Sequence, residues 1–235
     1  MILGGGESGV GAALLGKVKK YEVFLSDSGK INKKYKDVLI HNEIEWEEAG
    51  HTESKILNAD LVVKSPGIPD HVSMVKKLGK AAISVVSEIE FAATFTSANI
   101  IGITGSNGKT TTTMMVYHIL SQAGLDVTMG GNIGESFAKQ VLNDASNYVL
   151  ELSSFQLDGI QAFRPHIAVI TNITPDHLDR YDHKFENYIA SKFRIVMNQT
   201  SKDYLLYDSD DEVITSYIKN HPIQSKLVPF SLSKV

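Results

Sequence analysis

A chain of 235 residues has room for one large domain or two small ones, and enough length to bury a real core. Hydrophobic residues at 43% and charged residues at 21% are ordinary globular usage, which excludes a disordered chain and a coiled coil. A net charge of −4 leaves no basic field for nucleic acid, no apolar run is long enough to span a membrane, and the absence of Cys removes disulfides, thiolate zinc sites and Cys nucleophiles.

In chain order, short runs rich in Val, Ile and Leu predict strands at residues 1–3, 23–25, 38–40, 61–63 and 83–85. Further strands are predicted at 100–103, 127–129, 148–150, 167–171, 204–206 and 226–230. They do not alternate with polar residues, the pattern of strands covered on both faces of a parallel sheet. Helical spacing is clearest at 109–123, 135–142, 184–198 and 211–219. Strand and helix alternate throughout, so an α/β fold is expected. Where Ser87-Glu88-Ile89-Glu90-Phe91 gives way to Thr94-Phe95-Thr96-Ser97 a fresh strand and glycine loop begin. The expected division is a Rossmann-like parallel-sheet domain over 1–93 and a P-loop-type α/β domain over 94–235. The second domain reads as incomplete, and the chain as a fragment.

Glycine is clustered. Gly4-Gly5-Gly6-Glu7-Ser8-Gly9 matches G-x-G-x-x-G between a strand and a helix, and the next strand ends at Asp27. Such a loop offers backbone N–H groups to a diphosphate and an acid to a ribose or base, and by pattern alone it suggests NAD. A tight turn with no ligand is the plainer alternative. Ser65-Pro66-Gly67-Ile68-Pro69 is a stiff loop after the fourth strand, where open parallel sheets bind ligands, although it also reads as a simple turn.

Gly105-Ser106-Asn107-Gly108-Lys109-Thr110-Thr111 follows a buried strand and opens a helix. Its end is that of a phosphate-binding loop, with Lys109 near the β- and γ-phosphates and the Thr110 hydroxyl toward Mg²⁺. The strict motif needs Gly at 103, where this chain has Ile103, so the loop is a variant. It makes a simple dehydrogenase a poor reading. Glu151 ends an apolar strand, where a carboxylate is costly unless it meets a metal or caps a helix. Asp176, His177 and Asp179 crowd the loop after another strand, and a neutral His there can ligate a divalent metal. By spacing alone Lys192 is a solvated or snorkelling lysine on its helix.

Together these segments, with Gly131-Asn132-Ile133-Gly134 and Glu151-Leu152-Ser153-Ser154-Phe155-Gln156-Leu157, resemble the ATP-dependent Mur ligases of peptidoglycan synthesis. They occur in that family's order along nearly the whole chain. The Leu-Ser-Ser-Phe-Gln-Leu stretch and the first glycine cluster are most similar to its D-glutamate-adding branch. The resemblance implies a three-domain cytoplasmic bacterial enzyme that joins D-glutamate to UDP-N-acetylmuramoyl-L-alanine through an acyl phosphate. It turns the first cluster into a UDP site, with Glu7, Ser8, Gly9, Ser65 and Gly67 as substrate contacts and Asp27 and Ser28 near the uracil. It implies ATP on residues 105–111, two Mg²⁺ at Thr110, Glu151, His177 and Lys192, and substrate beside Asn132 and Gln156. Lys109, His177 and Lys192 are the implied catalytic residues, Lys192 as a carbamate. A P-loop module that binds nucleotide and UDP-sugar without ligase chemistry is the alternative. With the amino-acid-delivering domain missing, the chain is expected to be inactive alone.

Overall fold

The computed structural model describes residues 1–233; Lys234 and Val235, the last two of the expected second domain, lie outside them. The chain forms two compact units, and the division is not a single cut. Met1–Thr96, Glu135–Asp144 and Gly159–Gln161 make the first unit, and Ser97–Gly134, Ala145–Asp158 and Ala162–Val235 the second.

The first unit runs β1 (Ile2–Leu3), α1 (Glu7–Val18), β2 (Phe24–Ser26), α2 (Lys33–His41), β3 (Glu45–Glu47), α3 (Glu53–Leu57), β4 (Leu61–Lys64), α4 (Ser73–Lys80), β5 (Ser84–Ser87) and α5 (Glu88–Ala93). Its sheet has the order β3-β2-β1-β4-β5, with every pair parallel. The order reverses at β1, so the loops after β1 and β4 border a topological switch point, the place where such sheets hold ligands. Leu3, Ile56, Val62 and Leu78 form a buried cluster in this unit. Each such side chain contributes about 1.5–3 kcal/mol on leaving water.

The expected strand at 38–40 is instead the end of α2. Asn32 caps that helix by accepting from Lys34 N–H (3.0 Å). Leu39 is buried while Ile40 beside it is exposed, as on a helix with one face inward. The third strand is Glu45-Trp46-Glu47, whose polar ends hid it from a search for apolar runs; as an edge strand it needs less apolar cover.

The second unit contains β6 (Asn99–Thr104), α6 (Lys109–Gln122), β7 (Val127–Gly131), β8 (Asn147–Glu151), α8 (Ser154–Asp158), β9 (Ile167–Ile170), α9 (Phe185–Phe193), β10 (Tyr204–Asp208), α10 (Glu212–Asn220) and β11 (Lys226–Phe230). The intervening α7 (Phe137–Val141) packs on α1 and α5 of the first unit. The sheet order is β11-β10-β9-β6-β8-β7, again wholly parallel. Ile103, Val149 and Val169 from three adjacent strands are its buried centre, covered by Val116 and Leu120 of α6. With β6 between β8 and β9, the loops after these three strands converge at one end. The helix expected over 184–198 is shorter, α9 giving way to a 3-10 turn at Arg194–Val196. Among the described residues no helix is long and apolar enough to cross a membrane.

Candidate functional site

In the first unit the glycine loop lies between β1 and α1. A Cβ on Gly9 would sit 1.8 Å from the Gly4 carbonyl oxygen, so only glycine lets the helix start this close to the strand end. No side chain caps the first turn of α1, which leaves its N–H groups directed to an anion. Asp27 does something the motif did not suggest. Its Oδ2 accepts from Gly5 N–H (2.6 Å) and its Oδ1 from Gly29 N–H (2.7 Å), so the carboxylate ties the glycine loop to the loop that carries Ser28.

Ser65 is brought to the same place by the β1–β4 pairing. Its hydroxyl lies 2.5 Å from where a Gly4 Cβ would be and is buried without a hydrogen-bond partner among the described residues. Glu7 accepts from Ser136 N–H (3.4 Å), and Ser28 and Gly67 lie exposed on their loops.

In the second unit the loop after β6 is held from the side by the loop after β9. Gly105 has φ of +150°, and a Cβ there would lie 1.9 Å from the Thr171 hydroxyl. The Asn172 side chain accepts from Asn107 N–H (2.9 Å) and donates to Asn107 O (3.0 Å), while the Thr171 hydroxyl donates to the same carbonyl (2.7 Å). Ser106, 7% exposed, donates to Thr174 O (2.9 Å) and accepts from Thr174 N–H (2.9 Å), with the Tyr188 hydroxyl at 3.2 Å. The side chains of Ser106 and Asn172 therefore shape the loop, and Asn172 occupies the N–H groups of Ser106 and Asn107, leaving the N–H groups at the start of α6 and Lys109 as its means of meeting an anion. Asn172, Thr174 and Tyr188 had no assigned role in the sequence reading. Their role depends on β9 lying beside β6, which spacing does not reveal.

Lys109 Nζ donates to the carbonyls of Gly105 (3.0 Å) and Ser106 (2.8 Å), which keeps the cation inside the loop. Glu151 is 2% exposed. Its carboxylate accepts from the Thr110 hydroxyl (2.7 Å) and the Asn132 amide (2.7 Å), and among the described residues no Lys, Arg or His forms an ion pair with it. Three strands produce this: β6 leads into the Thr110 loop, β8 ends at Glu151, and β7 pairs Gly131 with Glu151.

His177 is half-exposed, with left-handed backbone (φ 51°), Nε2 3.5 Å from Asp176 Oδ2 and its ring 5.2 Å from Phe155. Among the described residues no three His, Asp or Glu side chains converge as a metal cluster. A divalent ion here would need water or phosphate oxygens as well, the habit of Mg²⁺ at nucleotide sites. Gln156 is buried and its carbonyl oxygen accepts from Ser153 N–H (2.9 Å) and hydroxyl (3.0 Å), closing the turn into α8.

Lys192 is the sharpest correction. Instead of a solvated lysine it is 1% exposed, with Nζ 4.6 Å over the Tyr188 ring. It makes no hydrogen bond or ion pair among the described residues. Burial, helped by the charge of Lys109 and opposed by Asp176 and Asp158, pulls its ammonium down to about 7.

Comparison with known proteins agrees with this geometry. Residues 103–234 match the Mur ligase middle domain, and residues 2–74 match the MurD N-terminal domain. The UDP-N-acetylmuramoylalanine–D-glutamate ligase of Christiangramia forsetii is 62% identical over 235 residues, which are 100% of this chain and 53% of that protein. Its namesake from Bacteroides thetaiotaomicron is 53% identical over the same 235 residues, again 53% of its length. The chain thus spans about half the length of the curated relatives it matches. Among solved structures, a UDP-N-acetylmuramate:L-alanyl-γ-D-glutamyl-meso-diaminopimelate ligase from Neisseria meningitides has a TM-score of 0.69 at 18% identity, over 96% of this chain and 76% of that one. The UDP-N-acetylmuramate-alanine ligase of Thermotoga maritima has a TM-score of 0.60 at 21% identity, over 99% of this chain and 52% of that one. These two likenesses concern the fold, while the domain match covers more than half of the sequence: the chain belongs to the Mur ligase family.

Proposed function

We propose that this chain supplies the uridine-diphosphate and ATP sites of a cytoplasmic ligase that joins D-glutamate to UDP-N-acetylmuramoyl-L-alanine. The observation that carries the reading is Glu151, a buried carboxylate with two neutral donors and no cation, set beside the Gly108-Lys109-Thr110 loop. The carboxylate oxygens of Glu151 and the Thr110 hydroxyl oxygen, with no cation beside them among the described residues, suit a hard divalent cation such as Mg²⁺. The first unit fits a diphosphate on independent grounds: a helix start with no side-chain cap, a glycine turn so tight that a Cβ on Gly9 would strike the Gly4 carbonyl, and a Ser65 hydroxyl without a partner among the described residues.

In the reaction the substrate's terminal carboxylate takes the γ-phosphoryl group of ATP and ADP departs. The D-glutamate amine then attacks the acyl phosphate, loses a proton, and phosphate leaves as the amide forms. The N–H groups of residues 108–110 at the start of α6 and the Lys109 ammonium hold the phosphates in line; this is catalysis by position and charge. Glu151 and Thr110 would hold one Mg²⁺, which supplies neutralisation of the phosphoryl charge. Asn132 keeps the Glu151 carboxylate oriented; the family resemblance would put both Asn132 and Gln156 beside substrate.

A second Mg²⁺ would be shared by His177 and Lys192. A lysine titrating near 7 is substantially a neutral amine, the form that reacts with carbon dioxide. Its Nζ lone pair bonds the carbon of CO₂ and one proton is released, turning a buried cation into an oxygen ligand. Labelled bicarbonate should therefore give a carbamate ¹³C resonance that Lys192→Ala lacks.

Calorimetry tests the nucleotide reading. The protein should bind UDP-N-acetylmuramoyl-L-alanine, and should bind ATP only with Mg²⁺; Lys109→Ala should lose ATP by at least tenfold and keep the UDP ligand. ATP binding unchanged by Lys109→Ala would overturn the assignment. D-glutamate-dependent phosphate release is the activity that distinguishes a ligase from a nucleotide-binding module.

A further inference from the structure

His51 stands at the carboxyl end of β3, in the loop that leads to α3. Its Nδ1 lies 2.7 Å from the Ser26 hydroxyl, which also lies 2.6 Å from Glu47 Oε1. Ser26 is fully buried and has a single proton to place. Glu47 is an acceptor on every side, because Thr52 donates to it through both N–H and hydroxyl. Burial pushes its carboxyl up, but these hydrogen bonds and Lys55 more than offset that and hold it below the usual carboxylate range. The Ser26 proton therefore goes to Glu47, and the Ser26 oxygen must accept from His51 Nδ1–H. That chain of donors decides the tautomer. Neutral His51 carries its proton on Nδ1 and its lone pair on Nε2, which has no partner among the described residues.

His51 is exposed, and its loop lies at the carboxyl end of the parallel sheet, the same end as the glycine loop and Asp27. Ser26 O accepts from Gly4 N–H (2.9 Å), and the next residue is Asp27, which holds Gly5 and Gly29. The His51 loop is itself braced to that strand end, since Gly50 N–H donates to Asp27 O (3.3 Å) and Ala49 N–H to Gly29 O (2.8 Å). Glu48 accepts from Ile31 N–H (2.7 Å), closing the same pair of loops. A ring on such a mount is oriented before any ligand arrives.

We infer that His51 is a specificity-determining residue of the nucleoside site, its Nε2 accepting a hydrogen bond from a donor on the nucleoside. This rests on the uridine-diphosphate reading above. Two donors share that chemistry, a ribose hydroxyl and the N–H of the base imide.

The experiment is calorimetric titration of the protein with UDP, 2′-deoxy-UDP and N3-methyl-UDP. His51→Asn keeps an N–H at the Nδ1 position for Ser26 but has nothing at Nε2, so it separates ligand contact from loop support. Loss of one neutral hydrogen bond should weaken UDP roughly three- to tenfold. The penalty for one of the two analogues should disappear in His51→Asn, and the analogue that stops discriminating identifies the donor. UDP affinity equal to that of the unaltered protein, or both analogue penalties retained in His51→Asn, would overturn the proposal. Loss of affinity in His51→Ala but not in His51→Asn would also overturn it, showing that His51 only braces the loop. Failure of the unaltered protein to bind UDP at all would instead sink the uridine reading of the unit, and this inference with it.

Discussion

The two units place glycine loops at the same point of the same kind of sheet, yet they hold those loops by opposite means. In the first unit a carboxylate, Asp27, accepts backbone N–H groups from the glycine loop and from its neighbour. In the second the fastening between loops is neutral, an Asn172 amide and the Thr171 and Ser106 hydroxyls, while Lys109 is held by loop carbonyls and Glu151 by two neutral donors. On the reading proposed above, the second loop meets ATP together with a divalent cation, and the buried Glu151 carboxylate beside it is the charge such a cation would balance.

Buried ionisable groups extend the contrast and give the largest effects. Glu88 of the first unit is 1% exposed, accepts from Ala138 N–H, and has its second oxygen buried without a partner among the described residues. Burial, opposed by the Ala138 bond and reinforced by Glu7, raises it to about 8. From about 4.5, where the unfolded chain loses this proton, up to about 8 the native state binds the extra proton, so stability falls as pH rises. Lys192 of the second unit has the opposite slope. Between about 7 and 10.5 the unfolded chain holds the proton that the native state has released, so stability rises with pH. Urea denaturation across pH should show Glu88→Gln flattening the acid-side fall and Lys192→Met flattening the alkaline rise. Lys192→Met should be more stable than the parent at pH 6 by a few kcal/mol, since each tenfold loss of proton affinity on folding costs about 1.4 kcal/mol. Unchanged slopes in both variants would erase this half of the contrast.

The neutral clamp comes next. Asn172→Ala should weaken ATP binding about tenfold while leaving the UDP ligand within twofold, and should cost about 1–3 kcal/mol of stability for two lost hydrogen bonds. Equal losses for both ligands would mean that Asn172 merely supports the fold. The smallest effect on folding belongs to Ser65→Ala. Its hydroxyl has no partner to lose, so stability should be unchanged or slightly higher, while the UDP ligand weakens a few-fold. Unaltered UDP affinity would remove Ser65 from the site.

Much of the site was legible in the chain because its requirements are local. A strand that turns at once into a helix needs glycine, and a loop that meets phosphate needs the Gly108-Lys109-Thr110 ending, so both loops were visible as strings. Glu151 was visible as an acid where an apolar strand stops. The strand misplaced at 38–40 shows the limit, because Val38-Leu39-Ile40 is equally apolar in either structure and only the cap at Asn32 and the buried face of Leu39 make it helical.

The sequence by itself therefore determined the α/β rhythm, the two glycine loops and the family that carries them. Tertiary structure alone decided that Lys192 is buried, that Asp27 binds backbone, and that Asn172 clamps the phosphate loop. It also decided that His51 Nδ1 lies against the Ser26 hydroxyl. Each of these depends on which strand lies beside which and what covers a helix face. Those are relations between residues tens of positions apart, and a solvated and a buried lysine share the same letter until the fold removes the water.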